Sequence, residues 1–200
     1  MMINIDTLLA WGAVYKKISA DEMVFMDGTE CLFYYQLVSG SLRWVNVNDE
    51  GKEFIQYMVE PGDCFGELPL FDDGSYAGSA IANSDSIILR LQKSIFLRIL
   101  KEEPEIQFSF SRLLAERLRF KFMLLQELTC CSPEHSISSL FSHFKATNRN
   151  ICNKHNQIKL TRQQIADMTG MRVETVIRTI RNLNNKGSLT INRGKILLPL

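Results

Sequence analysis

Residues 161–187 read TRQQIADMTGMRVETVIRTIRNLNNKG. Two runs with apolar residues at helical spacing are split by Thr169-Gly170-Met171, a glycine-containing turn with no room for a long loop. This predicts a helix-turn-helix. Ile165 and Met168 in the first run, and Val176, Ile180 and Leu183 in the second, recur at spacings of three and four, so both helices can share one small core. The outward face of the second helix carries Thr175, Arg178, Arg181, Asn182 and Asn185, with Glu174 its one carboxylate. Such side chains reach phosphates and base edges. Thr161-x-x-Gln164 has the spacing of a capping box that opens the first helix.

The charge distribution agrees with a nucleic-acid surface at this end. Residues 1–144 hold 12 Lys and Arg against 20 Asp and Glu, a net of −8, whereas residues 145–200 hold 11 against 2, a net of +9. A basic end concentrates phosphate while an acidic body stays away from it. No apolar run approaches the roughly 20 residues of a membrane helix, and the first residues lack a basic segment followed by an apolar one, so the expectation is a cytoplasmic protein without a membrane partner. The five cysteines form no C-x-x-C pair; reduced thiols fit better than a disulfide framework.

Working back from the helix-turn-helix, residues 132–134, Ser-Pro-Glu, have the chemistry of a helix start. Ile137, Leu140, Phe141 and Phe144 follow at helical spacing, and Ala146–Asn156 reads as a loop before a short strand, QIKL. After Gly187, SLTI and KILLPL flank Asn192-Arg193-Gly194, a hairpin turn carrying a basic residue. A helix-turn-helix followed by such a hairpin is a winged helix. Upstream, Glu105–Cys130 contains neither glycine nor proline and predicts a helix of roughly 38 Å. Ile106, Phe110, Leu114, Leu118, Leu125 and Leu128 read as one stripe, widened by Phe120, Phe122, Met123 and Leu124. A helix apolar on so much of its circumference has two surfaces to bury, here assigned to the preceding domain and to a second copy of the chain. Pro104 opens this helix, and Ser94 reads as the cap of a shorter one before it.

Residues 23–91 alternate short strand-like runs with turns: MVFM from Met23, LFYYQLV from Leu32, SLRWVNV from Ser41, EFIQYMV from Glu53 and SIILRL from Ser86. Glycines 28, 40, 51, 62 and 74 punctuate them at gaps of 11 or 12, the rhythm of a sandwich or jelly roll. The first 22 residues read as short helical material around Leu8, Leu9 and Trp11. The fold class is therefore α+β, with a β-roll sensor domain over 1–103, a dimerisation helix over 104–131 and a winged helix over 132–200.

Two tracts in this order resemble the Crp/Fnr superfamily of the cyclic AMP receptor protein and the fumarate and nitrate reduction regulator. Gly62-Asp63-Cys64-Phe65-Gly66-Glu67-Leu68-Pro69-Leu70-Phe71 looks like the family's phosphate-binding cassette, and Val173-Glu174-Thr175 with Arg178 looks like its recognition helix. The resemblance implies a homodimeric, sequence-specific transcription regulator on double-stranded DNA, with a small-molecule effector in the β-roll and RNA polymerase as a candidate partner. It implies that Glu174 and Arg178 read a G·C pair in a TGA-type half-site, as guanidinium on guanine and carboxylate on cytosine N4. An ordinary i, i+4 surface ion pair is the other reading of the same two residues. Thr161, Arg162, Arg172, Thr175, Arg181 and Arg193 complete the candidate DNA contacts. Val173 stands where the cyclic AMP branch commonly has another arginine, and Arg172 replaces the expected Ser or Thr cap.

The candidate effector pocket comprises Gly66, Glu67, Leu68, Ser75 and Ser79, with Lys121 and Phe122 at the helix positions that face adenine in the cyclic AMP branch. The family follows Gly-Glu-Leu with Arg-Ser, whose arginine neutralises the cyclic phosphate; here the tract is Ser75-Tyr76-Ala77-Gly78-Ser79-Ala80, and no arginine occurs between Lys52 and Ile88. Burying a phosphate without a charge partner is costly, which argues against cyclic AMP. No cofactor is identified. The pattern for an iron-sulfur cluster is missing, and Cys130-Cys131 with His135 is the nearest approach to a metal site. Ser132-Pro133 interrupts that segment, so the plainer reading is reduced thiols near a surface histidine. No catalytic nucleophile-base set is visible. The competing non-enzymatic reading is a nucleotide-binding-like signalling module whose basic end engages a protein or membrane partner.

Overall fold

A computed structural model describes residues 2–152 and 154–199, without the side chains of Leu128 and Cys130. The chain forms two compact units, Met1–Glu116 and Arg117–Leu200.

In the first unit, helix α1 (Ile5–Ala10) precedes strands β1 (Val14–Ile18), β2 (Met23–Phe25), β3 (Phe33–Ser39), β4 (Leu42–Val47), β5 (Glu53–Val59) and β6 (Cys64–Phe65). A four-residue helix α2 (Pro69–Asp72) leads to β7 (Ser79–Ala82), β8 (Ser86–Gln92) and helix α3 (Lys93–Glu102). The strands form two antiparallel sheets, ordered β1-β8-β3-β6 and β2-β7-β4-β5. Their inner faces share one core containing Ile18, Tyr34, Leu37 and Ile88 from one sheet and Phe25, Leu42, Val59 and Ala80 from the other. Gly40 turns β3 into β4 with φ +94°, a conformation that disfavours a side chain.

Three strands extend the sequence reading. β1 contains Lys16-Lys17 and lies at a sheet edge, where charged residues are tolerated, so it lacks a strong apolar pattern. β6 has two residues, and β7 is built from small residues, Ser-Ala-Ile-Ala. Helix α3 also begins before the expected Ser94 cap: Gln92 is at the N-cap and makes no side-chain cap bond.

Helix α4 (Pro104–Cys130) opens at Pro104 as expected. Its apolar residues divide into two sets rather than one stripe. Phe110 is buried in the first unit against Tyr34, Phe71 and Phe96, while Phe120 and Leu124 are buried in the second. Leu118, Phe122 and Leu125 remain 53–61% exposed. Residue 118 is eight positions, or about 80° at 100° per residue, from 110, so the two do not belong to one line. Leu128, the last member of the expected stripe, lies outside the described side chains.

The second unit continues with helix α5 (Pro133–Thr147), strands β9 (Ile151–Cys152) and β10 (Gln157–Ile158), helices α6 (Arg162–Thr169) and α7 (Val173–Asn185), and the hairpin β11 (Thr190–Asn192) and β12 (Lys195–Leu197). Ser132 caps α5 by accepting from the His135 amide, with Pro133 at the first helical position. The expected loop at 146–156 instead contains the end of α5 and β9. That short strand pairs with β10 in a sheet ordered β11-β12-β10-β9. Among the described residues, no helix is long and apolar enough to cross a membrane.

Candidate functional site

The helix-turn-helix is fixed at both ends by local chemistry. Thr161 Oγ1 accepts from the Gln164 amide at 3.1 Å, and Gln164 Oε1 accepts from the Thr161 amide at 3.0 Å. This reciprocal box satisfies two otherwise orphan donors of α6. Gly170 ends α6 with φ +63°, so the turn is Gly170-Met171-Arg172, one residue later than the sequence spacing suggested. Arg172 is the N-cap of α7 and supplies no side-chain cap bond, which leaves its guanidinium available for other work. Ile165, Met168, Val176, Ile180 and Leu183 are all buried as expected.

That packing turns Arg172, Glu174, Arg178, Arg181, Asn182 and Asn185 outward, with Thr175 half-buried. No ion pair joins Glu174 to Arg178, and neither side chain bonds to another described residue. The ordinary i, i+4 pair is thus unmade. Asp167, the other carboxylate of the basic segment, is buried and accepts from Gln163 Nε2 at 2.7 Å. Glu174 is therefore the one exposed side-chain carboxylate among the described residues from Lys145 onward. Arg162 is half-buried, and burial draws its pKa below the ordinary value. Arg193 sits at the hairpin tip, exposed, in the left-handed region at φ +46° beside Gly194 at φ +78°. The hairpin is tied to α7 because Asn184 Oδ1 accepts from the Ile191 amide at 2.8 Å.

In the β-roll, the cassette tract forms β6, a turn and α2. Gly66 takes φ +66°, and a Cβ there would lie 2.6 Å from the Phe25 ring and 2.9 Å from Tyr76. The turn is thus pressed against aromatic rings. Tyr76, in the tract that replaces Arg-Ser, folds inward and stacks on Phe25 with centroids 3.8 Å apart. Phe65 and Tyr35 stack beside Phe25 at 6.0 and 5.8 Å. The Tyr76 amide donates to Thr29 O, and its carbonyl accepts from the Gly28 amide, so the tract is fixed in this inward position. Burial, with Cys31 beside it, raises the Tyr76 pKa well above the ordinary phenol range; burial likewise raises that of Tyr35.

The remaining candidate pocket residues differ in their local surroundings. Glu67 is buried and Leu68 partly exposed. Ser75 is exposed, and Ser79 is buried and accepts from the Asp27 amide at 2.9 Å. Lys121 and Phe122 belong to the second unit, where burial, then Arg117, lowers the Lys121 pKa to about 8. Lys93 was not singled out from sequence, yet it is the cation at the cassette. Its ammonium donates to Pro69 O at 2.7 Å and to Asp73 Oδ1 at 2.8 Å, holding the end of α2. Arg43 is likewise committed to Glu53 and Asn83. The interior beside Gly66 is thus filled by aromatic rings, and Lys93 and Arg43 are held by groups of the chain.

At the α4–α5 junction, Cys131 and His135 lie on either side of Ser132-Pro133 with their donor atoms beside Glu127. Cys130, the neighbouring cysteine, lies outside the described side chains.

Comparison with known proteins agrees with this two-part architecture. Residues 15–103 match the cyclic nucleotide-binding domain, and residues 137–199 match the Crp-like helix-turn-helix domain. A cAMP-activated global transcriptional regulator CRP from Pasteurella multocida is 27% identical over 200 residues, covering 98% of this chain and 95% of that one. FixK2 from Bradyrhizobium japonicum superposes with a TM-score of 0.78 at 21% identity, covering 94% and 93%. The c-di-GMP-responsive global regulator CLP from Xanthomonas campestris does so at 0.76 and 16%, covering 96% and 98%. The same fold thus accompanies two different named effectors.

Proposed function

Because this chain belongs to the Crp/Fnr family of DNA-binding transcription regulators, and is not an enzyme, we propose that it acts as a homodimer on a two-fold symmetric site, using Glu174 and Arg178 as base readers. The observation that carries this reading is the state of those two side chains: exposed, unbonded to each other, and set in a face of cations and amides. Both groups, held by water alone, can exchange it for base edges without first breaking an ion pair. Arginine forms two bonds to guanine O6 and N7, and glutamate accepts from cytosine N4. Thr161, Arg162, Arg172, Thr175, Arg181 and the hairpin's Arg193 are assigned to backbone contacts, which position the protein without reading sequence.

The exposed Leu118, Phe122 and Leu125 support the homodimer. Their spacings of four and three repeat like the seam of a coiled coil, and Phe108 falls in the same heptad register. Phe122 is therefore reassigned from effector contact to dimer seam. The effector is proposed to be something other than cyclic AMP, because residues 75–80, the tract that stands for the family's Arg-Ser, hold no arginine and Tyr76 within it stacks on Phe25.

Selection from random double-stranded DNA by the purified protein tests the reading. Enrichment of a palindrome with half-sites one helical turn apart, about 34 Å, is expected. Salt-sensitive retention of all sequences alike would instead support the signalling-module reading.

A further inference from the structure

At the α4–α5 junction, Glu127, Cys131 and His135 bring a carboxylate oxygen, a sulfur and an imidazole nitrogen within 4.8 Å of one another. We propose that these residues bind a borderline-soft divalent transition-metal ion of the Zn2+ class, with three protein ligands and an open fourth position.

The local fold positions the donors. Helix α4 ends at Cys130 and α5 begins at Pro133, so Cys131 lies in a two-residue link between them. Ser132 restarts the helix at once, which places His135 in the first turn of α5 and directs it back toward the last turns of α4. Ser136, which is buried, fastens the corner: its hydroxyl lies 3.2 Å from Glu127 O and 3.1 Å from Ser132 O. The ligands thus come from a short, braced corner and do not require a distant loop to close.

Glu127 indicates the kind of partner missing from this corner. Its side chain is only 10% exposed, and one oxygen lies 3.5 Å from His135 Nε2. The other oxygen is buried without a hydrogen-bond partner among the described residues. Leaving a buried carboxylate oxygen unsatisfied is costly. A protonated histidine serves the first oxygen and leaves the second without a hydrogen bond, whereas a cation placed among the three donors draws on both.

The geometry and donor chemistry agree on the type of ion. Tetrahedral Zn2+ with bonds of about 2.0–2.3 Å holds its ligand atoms roughly 3.3–3.6 Å apart. The Glu127–His135 separation is already in that range, so the grouping has about 1 Å to contract. Thiolate and imidazole select against the hard ions Mg2+ and Ca2+, which take oxygen ligands. Binding would displace the Cys131 thiol proton and thus be weaker at low pH.

The test uses the full chain, freed of metal with a chelator and titrated with Co2+. One Co2+ per chain and a thiolate-to-cobalt charge-transfer band in the near ultraviolet are expected, with the band bleached by Zn2+. Cys131→Ser should abolish the band, and His135→Gln should weaken Co2+ binding at least tenfold, whereas Cys130→Ser and Cys152→Ser should leave both unchanged. Zn2+ should raise the melting temperature of the wild type but not of His135→Gln. His135 is exposed, so that variant carries the test, its fold checked by circular dichroism, even if Glu127→Gln unfolds. Absence of the band, or its survival in both Cys131→Ser and His135→Gln, would overturn the site.

Discussion

The β-roll interior and the surfaces of the C-terminal unit treat their functional side chains in opposite ways. In the β-roll, Lys93 is committed to Pro69 and Asp73 and Arg43 to Glu53, and the space beside Gly66 is occupied by Phe25 and Tyr76. On α7, Glu174 and Arg178 face outward with no bond to another described residue, and on α4, Leu118, Phe122 and Leu125 are exposed. The difference fits the proposed reading, in which α7 meets DNA and the β-roll takes an effector other than cyclic AMP.

The largest effect is expected at the exposed apolar stripe of α4. Phe122→Glu should convert a dimer to a monomer in sedimentation velocity. Removing one buried aromatic per subunit costs about 1.5–3 kcal/mol in each copy, so roughly 3–6 kcal/mol in a dimer. A variant with wild-type mass would remove the stripe from the open surfaces.

The packed interior predicts an effect almost as large. Phe25→Ala should destabilise the β-roll by about 3–5 kcal/mol in denaturant unfolding, the usual range for a buried phenylalanine. A loss below about 1 kcal/mol would mean that the rings surround a vacant pocket. The base readers come next. Arg178→Ala should cost about 1–3 kcal/mol for each base contact on the preferred site while barely changing binding to random DNA. An equal loss on both would make Arg178 a phosphate contact.

The smallest expected effect is a pH dependence in the C-terminal unit. His143 stacks on Phe120 at 4.6 Å, and burial, then Arg149, lowers its pKa below the ordinary 6.5. The unfolded chain therefore takes up the proton more readily. The resulting stability is complete above the unfolded value and is lost as pH falls through the folded one. Thermal melts should show a modest decline on acidification below about pH 6.5, and His143→Phe should reduce that slope. An identical slope in the variant would assign the decline to other groups.

Much of the output end was legible in the sequence because local signals decide it. Thr161 and Gln164 form their box within four residues, Gly170 marks the turn, and the apolar spacing names the buried face. The β-roll was legible as a rhythm of strands and glycines, but β1 is masked by Lys16-Lys17 and β7 by its small residues. Three features depended on folding of distant segments. The stacking of Tyr76 on Phe25 joins residues 51 positions apart, Lys93 reaches back to Pro69 and Asp73, and the two faces of α4 separate only once Phe110, Phe120 and Leu124 find their cores. The Glu127, Cys131 and His135 grouping was hidden for the opposite reason. A Ser-Pro break suggests separation, yet a capped restart after two residues brings its flanks together.

Specific DNA recognition without cyclic AMP control is read by titrating the protein onto a labelled duplex carrying its selected palindrome, with and without saturating cyclic AMP. The same Kd is expected in both titrations, with a much weaker Kd on a scrambled duplex. Tightening of tenfold or more on addition of cyclic AMP would contradict it.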